Sequence, residues 1–309
     1  MFISVIIPTY NPNIQRLEQT LTGLKNQTLP CEFWELLIID NNSSVIFTDK
    51  IDIGWQSNSN VISEPKQGLT YARLKGFSSA KGDIIVMVDD DNILQEDYLQ
   101  QVLNIFEDNP KLGAAGGKSL PQFEAEQPGW LKEFYGSLAL RDLGDKVVVN
   151  QWENKYPEHA PIGAGMAIRK GALASYIDKI ANQTTTISDR TGTSLSSGGD
   201  NDIVIEILRS GWLTGYFPQL QLRHIIPATR TDSTYLARLV NNSNKSWVQL
   251  LDSHQINPWK KIPAWTSPLR KLKAWFTYKA WQNKLNYIRW QGACGTFDGL
   301  ASIKTDEKT

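Results

Sequence analysis

Three consecutive carboxylates, Asp89-Asp90-Asp91, close the apolar run Ile84-Ile85-Val86-Met87-Val88. Carboxylates this close repel one another and raise each other's pKa unless a cation is near. Mg²⁺ and Mn²⁺ are usually held by one or two carboxylates plus substrate phosphates. A buried strand with this ending offers hard oxygen ligands to a divalent ion set against a diphosphate. Taken alone, the triplet also fits a solvated acidic turn with Asn92 capping the next helix.

Two more apolar runs end in polar turns. Residues 2–7 lead into Pro8-Thr9-Tyr10-Asn11, and residues 33–39 into Asp40-Asn41-Asn42. Ligands of open parallel sheets bind beyond the carboxyl ends of the strands. Three polar ends on one sheet could hold a nucleotide, with base and ribose at the first two and diphosphate and metal at Asp89 and Asp91. Arg73 lies in the segment leading to the aspartate strand and could meet the diphosphate. Each feature singly is ordinary turn chemistry or surface charge; it is their shared position that gives them weight.

The elements that must position these residues alternate from the start. Strands are expected over 2–7 (ended by Pro8), 33–39, 61–63 and 83–88. Helices are expected from Ile14 to Leu24, over 68–80 and over 97–106. This alternation implies an α/β fold with a mostly parallel, Rossmann-like sheet covered by helices on both faces. The middle is less regular. Residues 127–140 read as an aromatic helix flanking a cleft. Residues 160–168 read as a strand whose Gly163 and Gly165 admit close approach. Residues 182–199 form a Ser/Thr/Gly-rich loop whose length suggests mobility or function. A helix opens at Asp200, followed by short strands over 213–217 and 220–224.

With 309 residues, 41% of them hydrophobic, the chain can bury a full core. Cys31 and Cys294 make neither a disulfide framework nor a zinc pattern, which favours a reducing, cytoplasmic compartment. The N-terminus enters an apolar strand without a basic segment or cleavage site, so no signal peptide is expected. No run has the length of a membrane span. The formal charge is zero but unevenly spread. Residues 253–291 hold eight of the 32 basic residues and no acidic one, leaving 24 basic against 32 acidic elsewhere. The same segment is rich in tryptophan.

Several motifs, in order, resemble family 2 glycosyltransferases, the inverting enzymes of the GT-A fold. The resemblance covers roughly residues 2–230. Val5-Ile6-Ile7-Pro8-Thr9-Tyr10-Asn11 is similar to the family's first strand and turn, and Ile38-Ile39-Asp40-Asn41-Asn42-Ser43 to its base-binding turn. Gly68-Leu69-Thr70-Tyr71-Ala72-Arg73 is similar to the helix before the metal strand, and Val88-Asp89-Asp90-Asp91-Asn92 to the DXD motif. Gly163-Ala164-Gly165-Met166-Ala167 resembles the acceptor-side strand. Gly199-Asp200-Asn201-Asp202 resembles the acidic motif holding the catalytic base, with Gly199 where Glu is common. His224 matches a histidine that often meets the metal or diphosphate.

The resemblance implies a donor site of Pro8, Thr9, Tyr10, Asn11, Asp40, Arg73, Asp89 and Asp90. It also implies Mn²⁺ or Mg²⁺ at Asp89, Asp91 and His224, and Asp200 as general base with Asp202 as fallback. Trp130, Trp152, Gly163, Ala164, Gly165 and Met166 are expected to line the acceptor side. The implied activity is inverting transfer from a nucleotide-diphosphate sugar, a UDP-sugar foremost. The acceptor would be a saccharide or lipid-linked saccharide in cell-surface or extracellular polysaccharide synthesis of bacterial or cyanobacterial type. The glycosyltransferase domain is expected over 1–230, divided near 118 into nucleotide-sugar and acceptor halves, with a basic helical extension over 231–309.

A nucleotidyltransferase would typically carry a Gly-rich, basic loop after the first strand, which Pro8-Thr9-Tyr10-Asn11-Pro12 lacks. A non-catalytic nucleotide-sugar binding protein would not need Asp200. No nucleic-acid motif accompanies the basic tail. In that tail, Trp265, Leu269, Leu272 and Phe276 recur near helical spacing with Arg270, Lys271, Lys273, Lys279 and Lys284 between them. Such a helix could touch the inner face of the cell membrane peripherally through 259–290, or its tryptophans could pack it onto the body.

Overall fold

The computed structural model describes residues 1–182 and 198–303, so the Ser/Thr/Gly-rich stretch 183–197 lies outside the described residues. The described chain forms two compact units. One holds 1–124, 139–182 and 200–226; the other holds 125–138, 198–199 and 227–303.

The first unit is built on a nine-stranded sheet. Strands β1 (Ile3–Thr9), β2 (Trp34–Asp40), β3 (Ser59–Ser63) and β4 (Ile84–Met87) pair in parallel, in the order β3-β2-β1-β4. Beyond β4 come β8 (Ala167–Arg169), β6 (Leu112–Phe123), β9 (Leu213–Ile226) and β5 (Asn92–Leu94), and β7 (Val148–Asn150) also pairs with β9. In this half the direction varies. β8 is antiparallel to β4 and β6, and β5 is antiparallel to β9, while β6 and β9 run parallel.

The parallel strands are apolar on both faces, and period-two alternation sorts them into two cores. Ile3, Val5, Ile7, Leu36, Ile38 and Val86 face one core, with α1 (Ile14–Lys25) and α3 (Tyr98–Asp108) covering it. Ile6, Leu37, Ile39, Ile85 and Met87 face the other, covered by α2 (Leu69–Ser79), α4 (Ala174–Ala181) and α5 (Gly199–Arg209).

Several expectations are corrected. β1 does not stop before Pro8: the strand continues to Thr9, because β4 pairs only as far as Ile6 and asks no N–H of Pro8. Asn92 starts β5 rather than capping a helix. Residues 160–168 are mostly turn, with strand only from Ala167. The two short strands over 213–224 are one long β9. Residues 129–138 form 3₁₀ turns within the second unit.

That second unit is otherwise helical: α6 (Ser233–Ser253), α7 (Ser267–Thr277) and α8 (Lys284–Ser302). Asp232 caps α6, accepting from the N–H groups of Thr234 and Tyr235, and Asn283 caps α8 through the N–H of Asn286. α6 and α8 pack closely through glycines. A methyl at Gly295 would lie 2.0 Å from the carbonyl oxygen of Asn241. Arg289 of α8 forms a two-point ion pair with Glu133, holding the 3₁₀ segment. No helix among the described residues is long and apolar enough to cross a membrane.

Candidate active site

The ends of β1, β2 and β4 are tied together by polar side chains. Buried Asn41 is the central tie: its N–H donates to the carbonyl of Thr9, its amide nitrogen to the carbonyls of Glu64 and Lys66, and its Oδ1 accepts from the N–H of Gly68. Gly68 has φ 136°, a conformation L side chains avoid, and it starts α2. Asn41 therefore fixes the start of the helix that carries Arg73. Asp40 accepts from the N–H of Ser43, and Asn11, itself at φ 47°, accepts from the N–H and hydroxyl of Ser44. The buried Thr9 hydroxyl donates to Asp90 Oδ2, linking β1 to the carboxylate turn. Tyr10 and Asn11 are exposed at the rim. Pro8 is buried inside β1.

Asp89-Asp90-Asp91 forms the turn between β4 and β5. It is closed by a hydrogen bond from the N–H of Asn92 to the carbonyl of Asp89. Asp91 is buried, and its Oδ1 accepts from the Asn92 amide at 3.1 Å and lies 3.4 Å from Nε2 of His224. His224 is buried within β9 and pairs directly across from Asn92. A carboxylate and an imidazole 133 residues apart in sequence are brought within 3.4 Å of each other, with half-buried Asp89 on the same turn, a set of side chains able to hold a divalent cation.

A second cluster lies on the turn at 163–166. The N–H of Gly163 donates to Asp200 Oδ2 at 2.9 Å. A methyl on Gly163 would meet that same oxygen at 3.0 Å and Nη2 of Arg73 at 3.2 Å. Arg73 is buried, so a guanidinium and a carboxylate from different helices converge on one glycine. Gly165, at φ 74°, gives its carbonyl to the hydroxyl of buried Tyr98 at 2.6 Å, which fixes the turn to α3. Ala164 and Met166 are buried behind it, and the Met166 carbonyl accepts from the N–H of Met87 in β4.

Arg141 and Tyr156 complete this cluster, and no motif in the sequence marks them. Burial lowers the pKa of Arg141, while the charge of the Asp200 carboxylate opposes that shift. Its guanidinium donates to the carbonyls of Ala160 and Glu158. Tyr156 is pushed well above the usual phenol range, first by burial and then by the charge of Asp200; its hydroxyl donates to Asn201 at 2.6 Å.

Asp202 is placed elsewhere. It is buried 2.6 Å from Lys179 Nζ, which also binds Glu206 at 3.0 Å. Trp152 is partly buried against the second core, with the guanidinium of Arg209 5.3 Å from its ring centre. Trp130 belongs to the other unit, edge-on to Phe134.

The profile of Glycosyl transferase family 2 matches residues 4–176. A glucosyl-dolichyl phosphate glucuronosyltransferase of Haloferax volcanii is 25% identical over 162 residues, 50% of each chain. The poly(ribitol-phosphate) beta-N-acetylglucosaminyltransferase TarP of Staphylococcus aureus is 30% identical over 165 residues, 47% of this chain and 45% of that protein. The chain thus spans about half the length of these curated relatives. Among solved structures, S. aureus TarS 1-349 in complex with UDP-GlcNAc aligns with a TM-score of 0.54 at 14% identity, covering 97% of this chain and 90% of that one. The mannosyltransferase PcManGT from Pyrobaculum calidifontis, in complex with GDP-Man and Mn²⁺, gives 0.55 at 17% identity, covering 95% and 72%. The fold is the GT-A α/β architecture with helices following. Because the profile match covers more than half of this chain, the chain belongs to glycosyl transferase family 2.

Proposed function

We propose that the protein transfers a sugar from a nucleotide-diphosphate donor to a saccharide or lipid-linked saccharide acceptor with inversion, Asp200 acting as general base. The observation that carries this reading is the Asp200 carboxylate held by the Gly163 N–H beside the buried Arg73. Donor and acceptor must meet at such a place, with a cation near the leaving group and a proton acceptor near the nucleophile.

The polar ends of β1 and β2, with Thr9, Tyr10, Asn11 and Asp40, suit the base and ribose. Arg73 suits the diphosphate. Asp89, Asp91 and His224 would hold Mn²⁺ or Mg²⁺, which supplies charge neutralisation for the departing diphosphate. Asp200 takes the proton from the acceptor hydroxyl as its oxygen bonds to the anomeric carbon and the bond to the diphosphate breaks. A single displacement inverts that carbon, so no second carboxylate nucleophile is needed. The turn at 163–166 and Trp152 are assigned to the acceptor side. The TarS and PcManGT complexes contain UDP-GlcNAc and GDP-Man, which makes UDP- and GDP-sugars the first donors to try. Contact with a membrane through 259–290 accompanies this reading, since a lipid-linked acceptor resides there.

The test is release of UDP or GDP from a panel of nucleotide sugars with Mn²⁺, Mg²⁺ or EDTA, followed by NMR of the product anomer. Donor-dependent release that needs a divalent ion, with inverted product, supports the assignment. Release unaffected by EDTA, or a retained anomer, defeats it.

A further inference from the structure

The four tryptophans between 265 and 290 divide into two pairs. Trp275 and Trp290 pack α7 onto α8, their rings 4.8 Å apart and edge-on. The indole N–H of Trp290 donates to the carbonyl of Lys271, whose ammonium pairs with Asp298 at 2.6 Å. Ser267 and Ala274 are buried on this same inward face. Trp265, in the 3₁₀ turn just before α7, and Leu269, Leu272 and Phe276, on another face of the helix, are 75%, 62%, 57% and 60% exposed. Trp281, 54% exposed, meets Phe276 edge-on at 5.7 Å and extends the patch past the end of the helix.

A soluble surface rarely gathers this many large apolar groups without a use for them. The rim narrows the choice of partner. Arg270, Lys273, Lys279 and Lys284 are exposed around the patch, and no acidic residue occurs anywhere in 253–291. Two copies meeting patch to patch would bring two basic rims together, because a two-fold contact joins like surfaces. An anionic bilayer offers what the patch lacks: an apolar layer for the rings and negative headgroups for the rim.

We propose that this face of α7, with Trp281, inserts into the interfacial layer of an anionic membrane. The proposal rests on the membrane contact named above and specifies which residues make it and which lipid charge they need. It does not depend on the transfer chemistry.

Flotation of the full chain with phosphatidylcholine vesicles, with and without phosphatidylglycerol, tests it. Binding is expected only with the anionic lipid, and is expected to weaken as salt rises. The triple variant Trp265→Ser, Leu269→Ser, Phe276→Ser removes exposed side chains. It should partition at least about tenfold less with an unchanged melting temperature. The double variant Arg270→Glu, Lys273→Glu should lose the preference for phosphatidylglycerol. A full chain that fails to float at low salt overturns the proposal, as does a triple variant that floats like the parent. A concentration-dependent dimer abolished by the triple variant, without flotation, assigns the face to a second copy instead. Nucleoside-diphosphate release with a water-soluble acceptor, measured alongside, reports on the catalytic reading separately.

Discussion

The backbone N–H of Gly163 holds Oδ2 of Asp200 at 2.9 Å, so a glycine on the turn before β8 aims the proposed base. Asp200→Asn keeps an oxygen for that bond and removes the proton acceptor. Turnover is expected to fall by roughly two to four orders of magnitude with donor binding retained, measured by nucleoside-diphosphate release and by calorimetric titration of the donor. Gly163→Ala places a methyl 3.0 Å from the same oxygen and 3.2 Å from Arg73, and both must shift. A fall of about ten- to a hundredfold in kcat is expected; unchanged kcat would show that the alignment is not used.

Asp202→Asn separates the neighbouring carboxylate from this role. Asp202 neutralises Lys179 in a buried cluster with Glu206. Its loss should cost about 1–3 kcal/mol of stability, read by denaturant titration, with kcat within a few-fold of the parent. A dead but fully stable variant would transfer the role of base to Asp202.

Asp91→Ala removes the carboxylate beside His224. Transfer should be abolished, and added Mn²⁺ should no longer raise the melting temperature in the presence of UDP. Donor-free thermal scans with and without the ion separate lost binding from lost folding.

Burial pushes the Cys294 thiol from its ordinary 9.0 up to about 11. Being raised, it contributes stability that is fully present below the unfolded value and lost as pH rises from about 9 to 11. At pH 8 about one thiol in a thousand would be thiolate. Alkylation of Cys294 by iodoacetamide at pH 8 should therefore be negligible until denaturant is added, as mass spectrometry of the peptide would show.

Gly295→Ala tests the α6–α8 contact. Its methyl would lie 2.0 Å from a backbone oxygen, which no rotamer change relieves. A loss of roughly 1–3 kcal/mol is expected, read as a lowered melting temperature.

The stretch from β1 to β4 was readable because its signals are local. Apolar runs closed by Thr9, Asp40 and Asp89 announce strands, and their ends announce the site. What stayed hidden depends on distant pairing. β6 contains Gly113, Gly116, Gly117 and Pro121, which argue against a strand until β9 is known to lie beside it. Arg141 and Tyr156 come from irregular segments where neither period nor spacing marks them. Only the fold brings them near Asp200. The tail read as one stretch from Trp265 to Trp290 is two helices, broken between Thr277 and the cap at Asn283.

β9 places one further demand on the chain. Along β6 its pairing advances from Gly116–Tyr216 to Lys118–Gln221, so residues 217–220 are an excursion between two fixed registers. There is little room beside it, since a methyl at Gly117 would lie 2.0 Å from the Leu220 carbonyl. Removing one residue from 217–220 without slack elsewhere would set Ile225, not His224, opposite Asn92, and the imidazole would leave Asp91. Chain length at this excursion is thus under the same constraint as the histidine's identity, and insertions or deletions there are as consequential for the site as replacing His224 itself.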